Sequence, residues 1–248
     1  MTVLYEDNHI IAVSKTCNEI VQGDKTGDTP LSDIVKAYIK AKYNKPGEVF
    51  LGVPHRLDRP TSGVVLFART SKALTRLNEM FREKSSYSVS GPTAKRSYSV
   101  SGLTAKRSII KTYWAIVQGC PKQPEGRLEN YLIRNEKLNK SFIAKPGAKD
   151  AKLAILDYRV LVRGEHYSLL EINLLTGRHH QIRCQLSAIG CPVKGDLKYG
   201  AKRSNPDGGI SLHARQIAFI HPVSKIPLCI TAPVPSDSLW QQFAASVQ

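Results

Sequence analysis

One acidic residue lies between two arginines in the stretch HRLDRPTSG, residues 55–63. Neighbouring guanidinium groups favour the ionised form of a carboxyl group, and an ionised aspartate can act as a nucleophile. In an extended segment Arg56 and Asp58 would share one face, while Leu57 would point into the core. The same spacing also fits a structural Arg–Asp bridge that fixes a turn, so spacing alone leaves both interpretations open.

A second polar stretch, TGRHHQIR at residues 176–183, supplies further guanidinium and imidazole groups. Its tandem histidines, His179 and His180, raise the question of a metal site. No carboxylate or third ligand lies at helical spacing beside them, so we expect no metal there. Both polar stretches come where a strand is predicted to meet a turn or a helix, which is where side chains on a rigid scaffold can converge.

The composition is that of a folded, strongly basic protein. The 248 residues include 36 Lys and Arg against 20 Asp and Glu, a net charge of +16, and 42% are hydrophobic. Such a charge concentrates polyanions around a protein, and nucleic acid is the commonest polyanion. The 5 cysteines form no C-x-x-C pair, which argues against a disulfide framework and a zinc site. We expect a cytoplasmic protein without a membrane-spanning segment.

The hydrophobic periodicity predicts the elements that must carry these motifs. Helices are expected over 30–43, 71–84, 176–190 and 236–245. Strands are expected over 3–5, 10–13, 63–68, 109–118, 128–134, 141–145, 151–163, 167–175, 210–220 and 226–231. Strands outnumber helices and short turns join them, so the expected class is α+β, with a mostly antiparallel, mixed central sheet flanked by helices.

Residues 86–107 contain two tandem copies of one polar unit, SYSVSGPTAKR and SYSVSGLTAKR. Two copies are too few and too polar for a solenoid core, which needs roughly three or more stacked repeats. We therefore predict a surface insertion. A basic flap that contacts RNA is the alternative.

Four segments in order resemble one family. HRLDRPTSG and the apolar strand after it resemble the signature of the RluA-type pseudouridine synthases. Three further segments are similar to that family in the same order: KTYWAIVQG (111–119), TGRHHQIRCQLSAIGCPVKGD (176–196) and LHARQIAFIHP (212–222). The resemblance implies a single catalytic domain over residues 1–248 with a central cleft, without a separate N-terminal RNA-binding domain. It also implies a monomeric isomerase that needs no cofactor.

The implied reaction converts uridine to pseudouridine in structured RNA, rRNA or tRNA, after the base is flipped out. In this resemblance Asp58 matches the nucleophile, Tyr113 the tyrosine that packs on the flipped base, and Arg178 the arginine that pairs with the aspartate. Arg56 matches the arginine that replaces the expelled nucleotide. Further RNA contacts are expected from Arg59, Lys111, His180 and Arg183. Whether Asp58 attacks the ribose or the base, or abstracts a sugar proton, stays open.

Two positions depart from the family pattern. The usual K-P-x-G segment is Lys15-Thr-Cys-Asn18 here, and His179 replaces the threonine of the usual G-R-T-H-Q. We expect His55 to be packed or hydrogen-bonded and Asp196 to form an ordinary Asx turn. A catalytically inactive RNA-binding protein of the same fold is the alternative function. A glycoside hydrolase is less favoured, since it ordinarily needs two carboxylates.

Overall fold

The computed structural model describes residues 1–82 and 109–247, so the tandem repeat at 86–107 lies outside the described residues. In the described ranges one sheet contains 10 strands. They are β1 (Thr2–Glu6), β2 (Ile10–Lys15), β3 (Ser62–Ala68), β4 (Ile110–Gln118), β5 (Glu125–Asn135), β6 (Lys140–Ala144), β7 (Lys152–Arg163), β8 (Tyr167–Leu174), β9 (Leu212–Ile220) and β10 (Pro227–Thr231). The helices are α1 (Leu31–Lys42), α2 (Ser71–Arg82), α3 (Gln181–Ala188) and α4 (Ser238–Ala245). No helix in these ranges is long and apolar enough to cross a membrane.

The strand order brings distant segments of the chain together. It runs β1-β2-β3-β9-β4-β8-β7-β5-β6, and β10 also pairs with β9. The β3–β9 pair is parallel, whereas the other pairs between described strands are antiparallel. The predicted α+β class with a mostly antiparallel mixed sheet is confirmed. Short turns join four of the antiparallel pairs, β1–β2, β5–β6, β7–β8 and β9–β10, and the parallel pair needs the long crossover between β3 and β9.

The parallel pair places the Thr-Ser-Gly turn directly against β9. Ser62 is opposite His213, and Gly63 is opposite Ala214. Gly63 has φ +118, and a Cβ atom there would lie 2.3 Å from the carbonyl oxygen of Ala214. Only glycine fits this close approach. The glycine therefore fixes the loop that precedes β3 against the middle of the sheet.

Two large apolar clusters lie on either side of the centre of the sheet. The first packs α1 and α2 on β2 and β3, and includes Phe67 and Leu77. The second packs α3 on β4 and β8, and includes Ile182 and Leu186. Tyr113 on β4 packs against both clusters. The middle of β4 is thus held by both halves of the core.

The predicted elements are present, but α3 begins at Gln181 and not at Thr176. The backbone N–H of Thr176 donates to the carbonyl oxygen of Ile155, which extends the β8 edge. The hydroxyl of Thr176 donates to Oε1 of Gln181 at 2.8 Å, and His180 has a left-handed φ of 51. These contacts hold residues 176–180 in a turn, so helical periodicity does not describe them.

Candidate active site

Asp58 lies on a loop whose backbone is held on both sides. The preceding residue, Leu57, is buried in the first core cluster, as predicted. The carbonyl oxygen of Asp58 accepts from the backbone N–H of Thr61 at 3.0 Å, and that of Pro60 accepts from Ile210 at 3.0 Å. The loop therefore has little freedom to move the carboxylate. We call residues 55–63 the nucleophile loop.

Lys15, at the end of β2, donates hydrogen bonds to the backbone of the same loop. Its side chain is buried, with 1% of the residue surface exposed. Its Nζ atom donates to three backbone carbonyls: Thr16 at 2.9 Å, Arg59 at 2.9 Å and Thr61 at 2.7 Å. Burial lowers the pKa of Lys15 to about 8. The contacts show that Lys15 positions the loop that carries Asp58, a role that the sequence prediction missed.

The departure at Lys15-Thr-Cys-Asn18 keeps the shape of a glycine turn. Asn18 has a left-handed φ of 69, a conformation that asparagine adopts more readily than other residues except glycine. Its backbone N–H donates to the carbonyl oxygen of Arg59 at 3.0 Å. Its side-chain amide donates to the carbonyl oxygen of Asp207 at 2.6 Å. The asparagine thus takes the position of the family's glycine and still supports the nucleophile loop.

A buried arginine on α3 links two carboxylates. The Nε and Nη2 atoms of Arg183 donate to the Oδ2 and Oδ1 atoms of Asp196 at 2.6 and 2.9 Å. Its Nη1 atom donates to Oδ2 of Asp58 at 3.3 Å. The side chains of Arg183 and Asp196 are 6% and 1% exposed, whereas that of Asp58 is 32% exposed. Burial opposes the charged guanidinium, but the hydrogen bond and the charge of Asp196 raise the pKa of Arg183.

This arrangement leaves part of the Asp58 carboxylate available. Oδ2 carries the contact with Arg183, and no hydrogen bond to Oδ1 is present among residues 1–82 and 109–247. A carboxylate with one oxygen held, the other without a hydrogen bond, and a side chain that is 32% exposed is suited to attack a bound molecule. The interpretation of Asp58 as half of a surface bridge does not account for the buried second carboxylate behind Arg183.

The pairing predicted for Arg178 is wrong, because Arg183 makes it. Arg178 lies in the turn before α3, and its Nε atom donates to the carbonyl oxygen of Leu153 at 2.9 Å. The later start of α3 places Arg183, five residues on, in the first helical turn facing the nucleophile loop. Arg183, predicted to bind RNA, is instead buried between Asp58 and Asp196.

The Asx turn expected at Asp196 is also wrong, because its carboxylate forms the bidentate ion pair. A signal was available in the sequence: Asp196 is the acidic residue within the stretch 176–196. A buried arginine requires a carboxylate partner, since an unpaired buried charge is very costly. Proximity along the chain made Asp196 the natural candidate.

Tyr113 lies on β4 beside Asp58. The pairing of β4 with β9 shifts register between Thr112 and Tyr113, an irregularity that can redirect a side chain next to an active site. Burial, and then the charge of Asp58, raises the pKa of Tyr113 above its usual value. The phenol therefore stays protonated near neutral pH and can donate a hydrogen bond to a group beside Asp58.

The histidines near Asp58 are neutral. Nε2 of His180 is 3.6 Å from Oδ2 of Asp58, and Nδ1 is 3.1 Å from the hydroxyl of Tyr199. Burial lowers the pKa of His180 to about 2. His55 accepts a hydrogen bond from the backbone N–H of Leu66 at 2.9 Å, so its expected structural role is confirmed. No group of three or more His, Cys, Asp or Glu in the described ranges is placed to hold a metal ion.

The remaining predicted RNA contacts lie around this centre. Arg56 is exposed. Arg59 is paired with Asp28 at 2.6 Å, so part of its charge is offset. Lys111 is half-buried, and a Cβ atom on Gly177 would lie 3.5 Å from its Nζ atom. Burial lowers the pKa of Lys111. RNA binding by these three cations, and by His180, stays a prediction.

The chain is similar to one family along most of its length. The model of the family described as RNA pseudouridylate synthase matches residues 9–188. An uncharacterised RNA pseudouridine synthase of Synechocystis sp. is 31% identical over 240 residues, which cover 95% of this chain and 66% of the relative. Ribosomal large subunit pseudouridine synthase C of Rickettsia prowazekii is 31% identical over 235 residues, which cover 94% and 68%. The chain thus spans about two thirds of the length of these relatives.

The fold is shared with a solved human structure, RNA Pseudouridylate Synthase Domain Containing 4. The TM-score is 0.74 at 22% sequence identity, with 99% of this chain and 92% of that chain covered. At that identity the likeness concerns the fold. The family match, by contrast, extends over both polar stretches that surround Asp58. The chain therefore belongs to the RNA pseudouridylate synthase family.

Proposed function

We propose that this protein isomerises uridine to pseudouridine in RNA and that the Asp58 carboxylate is the nucleophile. The observation that carries the proposal is that this carboxylate is held in place and still accessible. It lies on a loop fixed by Lys15, it is held through one oxygen by the buried Arg183, and it is 32% exposed. A substrate can therefore reach a group whose direction is already fixed, which reduces the entropic part of a barrier.

The proposed reaction is a redox-neutral rearrangement. Attack by Asp58 on the ribose or the base allows the bond between C1′ and N1 to break. The released uracil turns in its site, and C5 forms a new bond to C1′ as Asp58 leaves. The hydrogen on C5 departs as a proton, and N1 gains one. We propose that the hydroxyl of Tyr113, whose raised pKa keeps it protonated, donates a hydrogen bond to the base during this turn.

The target base must leave its stack before Asp58 can reach it. Extruding a base costs a few kcal/mol, about as much as unstacking and unpairing require. An aromatic ring contributes about 1–3 kcal/mol by stacking on an extruded base, and Tyr113 supplies such a ring. We propose that the exposed side chain of Arg56 occupies the gap that the base leaves in the RNA.

The charge of the protein and the names of its relatives guide the choice of RNA. A net charge of +16 favours a structured polyanion over a free nucleoside. One similar protein is named a ribosomal large subunit pseudouridine synthase. We propose large-subunit rRNA as the first substrate to test, with tRNA as the second.

Release of the C5 hydrogen provides the test. The purified protein is incubated with rRNA or tRNA that carries tritium at C5 of uridine, and tritium in water is counted. We expect release with at least one RNA, including in the presence of EDTA, and pseudouridine at a defined position in the product. No release from either RNA by a folded protein that binds them would contradict the proposal. It would favour the alternative, an inactive RNA-binding protein.

A further inference from the structure

A cationic surface lies next to the nucleophile loop. It comprises three residues of the β5–β6 hairpin, Arg134, Lys137 and Lys140, and Lys198 in the short 3-10 turn at Leu197–Tyr199. We call it the hairpin surface. We propose that the hairpin surface binds the sugar-phosphate backbone of RNA next to the target uridine, and that His179 fixes it to the active site. This inference rests on the proposed function, since it concerns the same RNA.

The charges of the hairpin surface are not neutralised within the protein. Arg134 and Lys137 are exposed, and Lys140 is half-buried. In the described ranges none of the four cations forms a salt bridge. Nζ of Lys198 is 3.2 Å from the carbonyl oxygen of Asn139 at the hairpin turn, which places its charge beside the hairpin. Unpaired cations with free N–H donors are the groups that bind phosphate.

The register of the hairpin places Arg134 on the face of the sheet that packs against α3. Arg134 is opposite Ser141 on β6, and cross-strand partners share a face. Leu132, two residues earlier, is buried in a cluster with Cys184 and Tyr199. Because side chains alternate along a strand, Arg134 extends the same face past the edge of this cluster. Its guanidinium therefore lies on the side of the sheet where α3 and Arg183 meet Asp58.

His179 joins this hairpin to the centre of the site. Its Nδ1 atom is 3.0 Å from the hydroxyl oxygen of Ser141, and that hydroxyl donates to the carbonyl oxygen of His179 at 2.7 Å. Its Nε2 atom is 3.1 Å from Oδ1 of Asn139. Three contacts therefore connect the side chain and backbone of His179 to the end of the hairpin turn and the start of β6.

The other face of His179 contacts the active site. Its ring stacks on that of His180 with centroids 3.8 Å apart, and Nε2 of His180 is 3.6 Å from Oδ2 of Asp58. A threonine, the residue usual at this position in the family motif, has neither ring nitrogens nor a stacking surface. The link from hairpin to nucleophile thus depends on the residue in which this chain departs from the motif.

Electrostatics agree with this placement. Burial is the main cause that lowers the pKa of His179 and His180. The positive charges of Arg134 and Lys198 are smaller causes that act in the same direction on both rings, whereas the charge of Asp58 raises the pKa of His179. Both cations are therefore close to the pair of rings beside Asp58. A phosphate bound there would compensate charges that the protein leaves uncompensated. Such a contact would place the RNA backbone within reach of the nucleophile and would not depend on the base sequence.

Binding as a function of salt tests the surface. The probe is a fluorescein-labelled RNA stem-loop with a uridine-rich loop, and anisotropy gives its Kd between low and moderate salt. We expect Arg134→Ala to weaken binding about tenfold and to reduce the slope of log K against log salt by about one. The matched control is Arg163→Ala, which removes an exposed arginine at the end of β7 that lies away from the hairpin surface. We expect the control to keep the slope of the unaltered protein.

A double-mutant cycle tests the role of His179. We expect His179→Thr to raise KM for RNA while kcat at saturating RNA stays close to normal, because Asp58 is still held by Arg183. His179→Gln, whose amide can donate and accept, should restore part of the KM. In the His179→Thr background, Arg134→Ala should weaken RNA binding less than it does in the unaltered protein, since the hairpin is no longer fixed to the active site.

The outcomes separate this inference from the proposed function. If the unaltered protein forms pseudouridine but Arg134→Ala and Arg163→Ala bind alike, the hairpin surface is not an RNA site. If the effects of Arg134→Ala and His179→Thr simply add, His179 does not position it. If the unaltered protein binds RNA but forms no pseudouridine, the proposed function fails while the binding surface can still be measured. Thermal unfolding of each variant shows that the comparison concerns folded protein.

Discussion

Replacing Asp196 by asparagine changes the residue that holds Arg183 and leaves the nucleophile Asp58 in place. Asp196 is 1% exposed, so it does not touch RNA, and its effect must pass through Arg183. The substitution keeps one acceptor oxygen for the two donors that now lie at 2.6 and 2.9 Å. Removing one partner of a buried pair costs about 3–5 kcal/mol. Because asparagine keeps one of the hydrogen bonds, we expect about 2–3 kcal/mol of lost stability.

The effect on catalysis follows from the geometry of Arg183. With one anchor lost, its guanidinium can turn toward Asp58, whose Oδ2 atom is 3.3 Å from Nη1. A misplacement of about 1 Å in an active site costs about 10²-fold in rate. We therefore expect kcat for tritium release to fall by about 10²-fold, while the Kd for RNA stays unchanged. The assay is run well below the midpoint of thermal unfolding of the variant.

A matched control exists elsewhere in the sheet. Arg127 on β5 contacts Asp157 on β7 through Nε at 2.7 Å and Nη2 at 3.0 Å, the same bidentate arrangement. Asp157→Asn disrupts an ion pair of the same geometry away from Arg183, in which the side chains are 38% and 12% exposed. We expect it to lower stability, by less than Asp196→Asn does, without lowering kcat. Equal kcat for folded Asp196→Asn and Asp157→Asn would show that Asp196 is only a structural partner and does not position Asp58 through Arg183.

Three further predictions follow from groups around the site. Lys15→Met removes three hydrogen bonds to backbone carbonyls, and we expect lower kcat with RNA affinity retained; loss of affinity alone would contradict its role in positioning Asp58. Tyr113→Phe keeps the ring but removes the hydroxyl, and we expect kcat to fall by about 10²-fold; an unchanged kcat would show that stacking suffices. Burial lowers the pKa values of His55, His180 and His213 to about 3, 2 and 4, from 6.5. Below pH 6.5 the unfolded chain therefore binds more protons than the native protein. The free energy of unfolding thus decreases as the pH is lowered, by about 1 kcal/mol per histidine at pH 5.5. Urea unfolding between pH 5 and 8 measures this, and constant stability to pH 5 would contradict the neutral state of these rings.

Regular elements could be predicted from the sequence because their periodicity reports burial. The run that forms β3 is buried at all 7 positions, and the apolar spacing in α2 matches its buried face. The start of α3 could not be predicted in this way. A hydroxyl on Thr176 and an amide on Gln181 hold that turn through side-chain contacts, which leave no hydrophobic period.

The nucleophile could be identified from local sequence, but its partner could not. Asp58 lies between two nearby arginines along the chain, yet the arginine that contacts it is 125 residues away. Spacing shows which residues are neighbours on one element. It does not show which of two guanidinium groups in TGRHHQIR points toward another loop. That depends on where α3 begins and on the buried Asp196, and both are set by tertiary contacts.

The role of Asp58 as nucleophile is tested most directly by the reaction of Asp58→Asn. Asparagine has the same shape and can still accept the hydrogen bond from Arg183, so the loop and the RNA-binding surface should be preserved. Pseudouridine formation is measured in a single turnover with RNA that the unaltered protein modifies, alongside the Kd and the midpoint of thermal unfolding. We expect no pseudouridine, with the Kd and the midpoint close to those of the unaltered protein. Pseudouridine formed at a comparable rate by the variant would show that Asp58 is not the nucleophile.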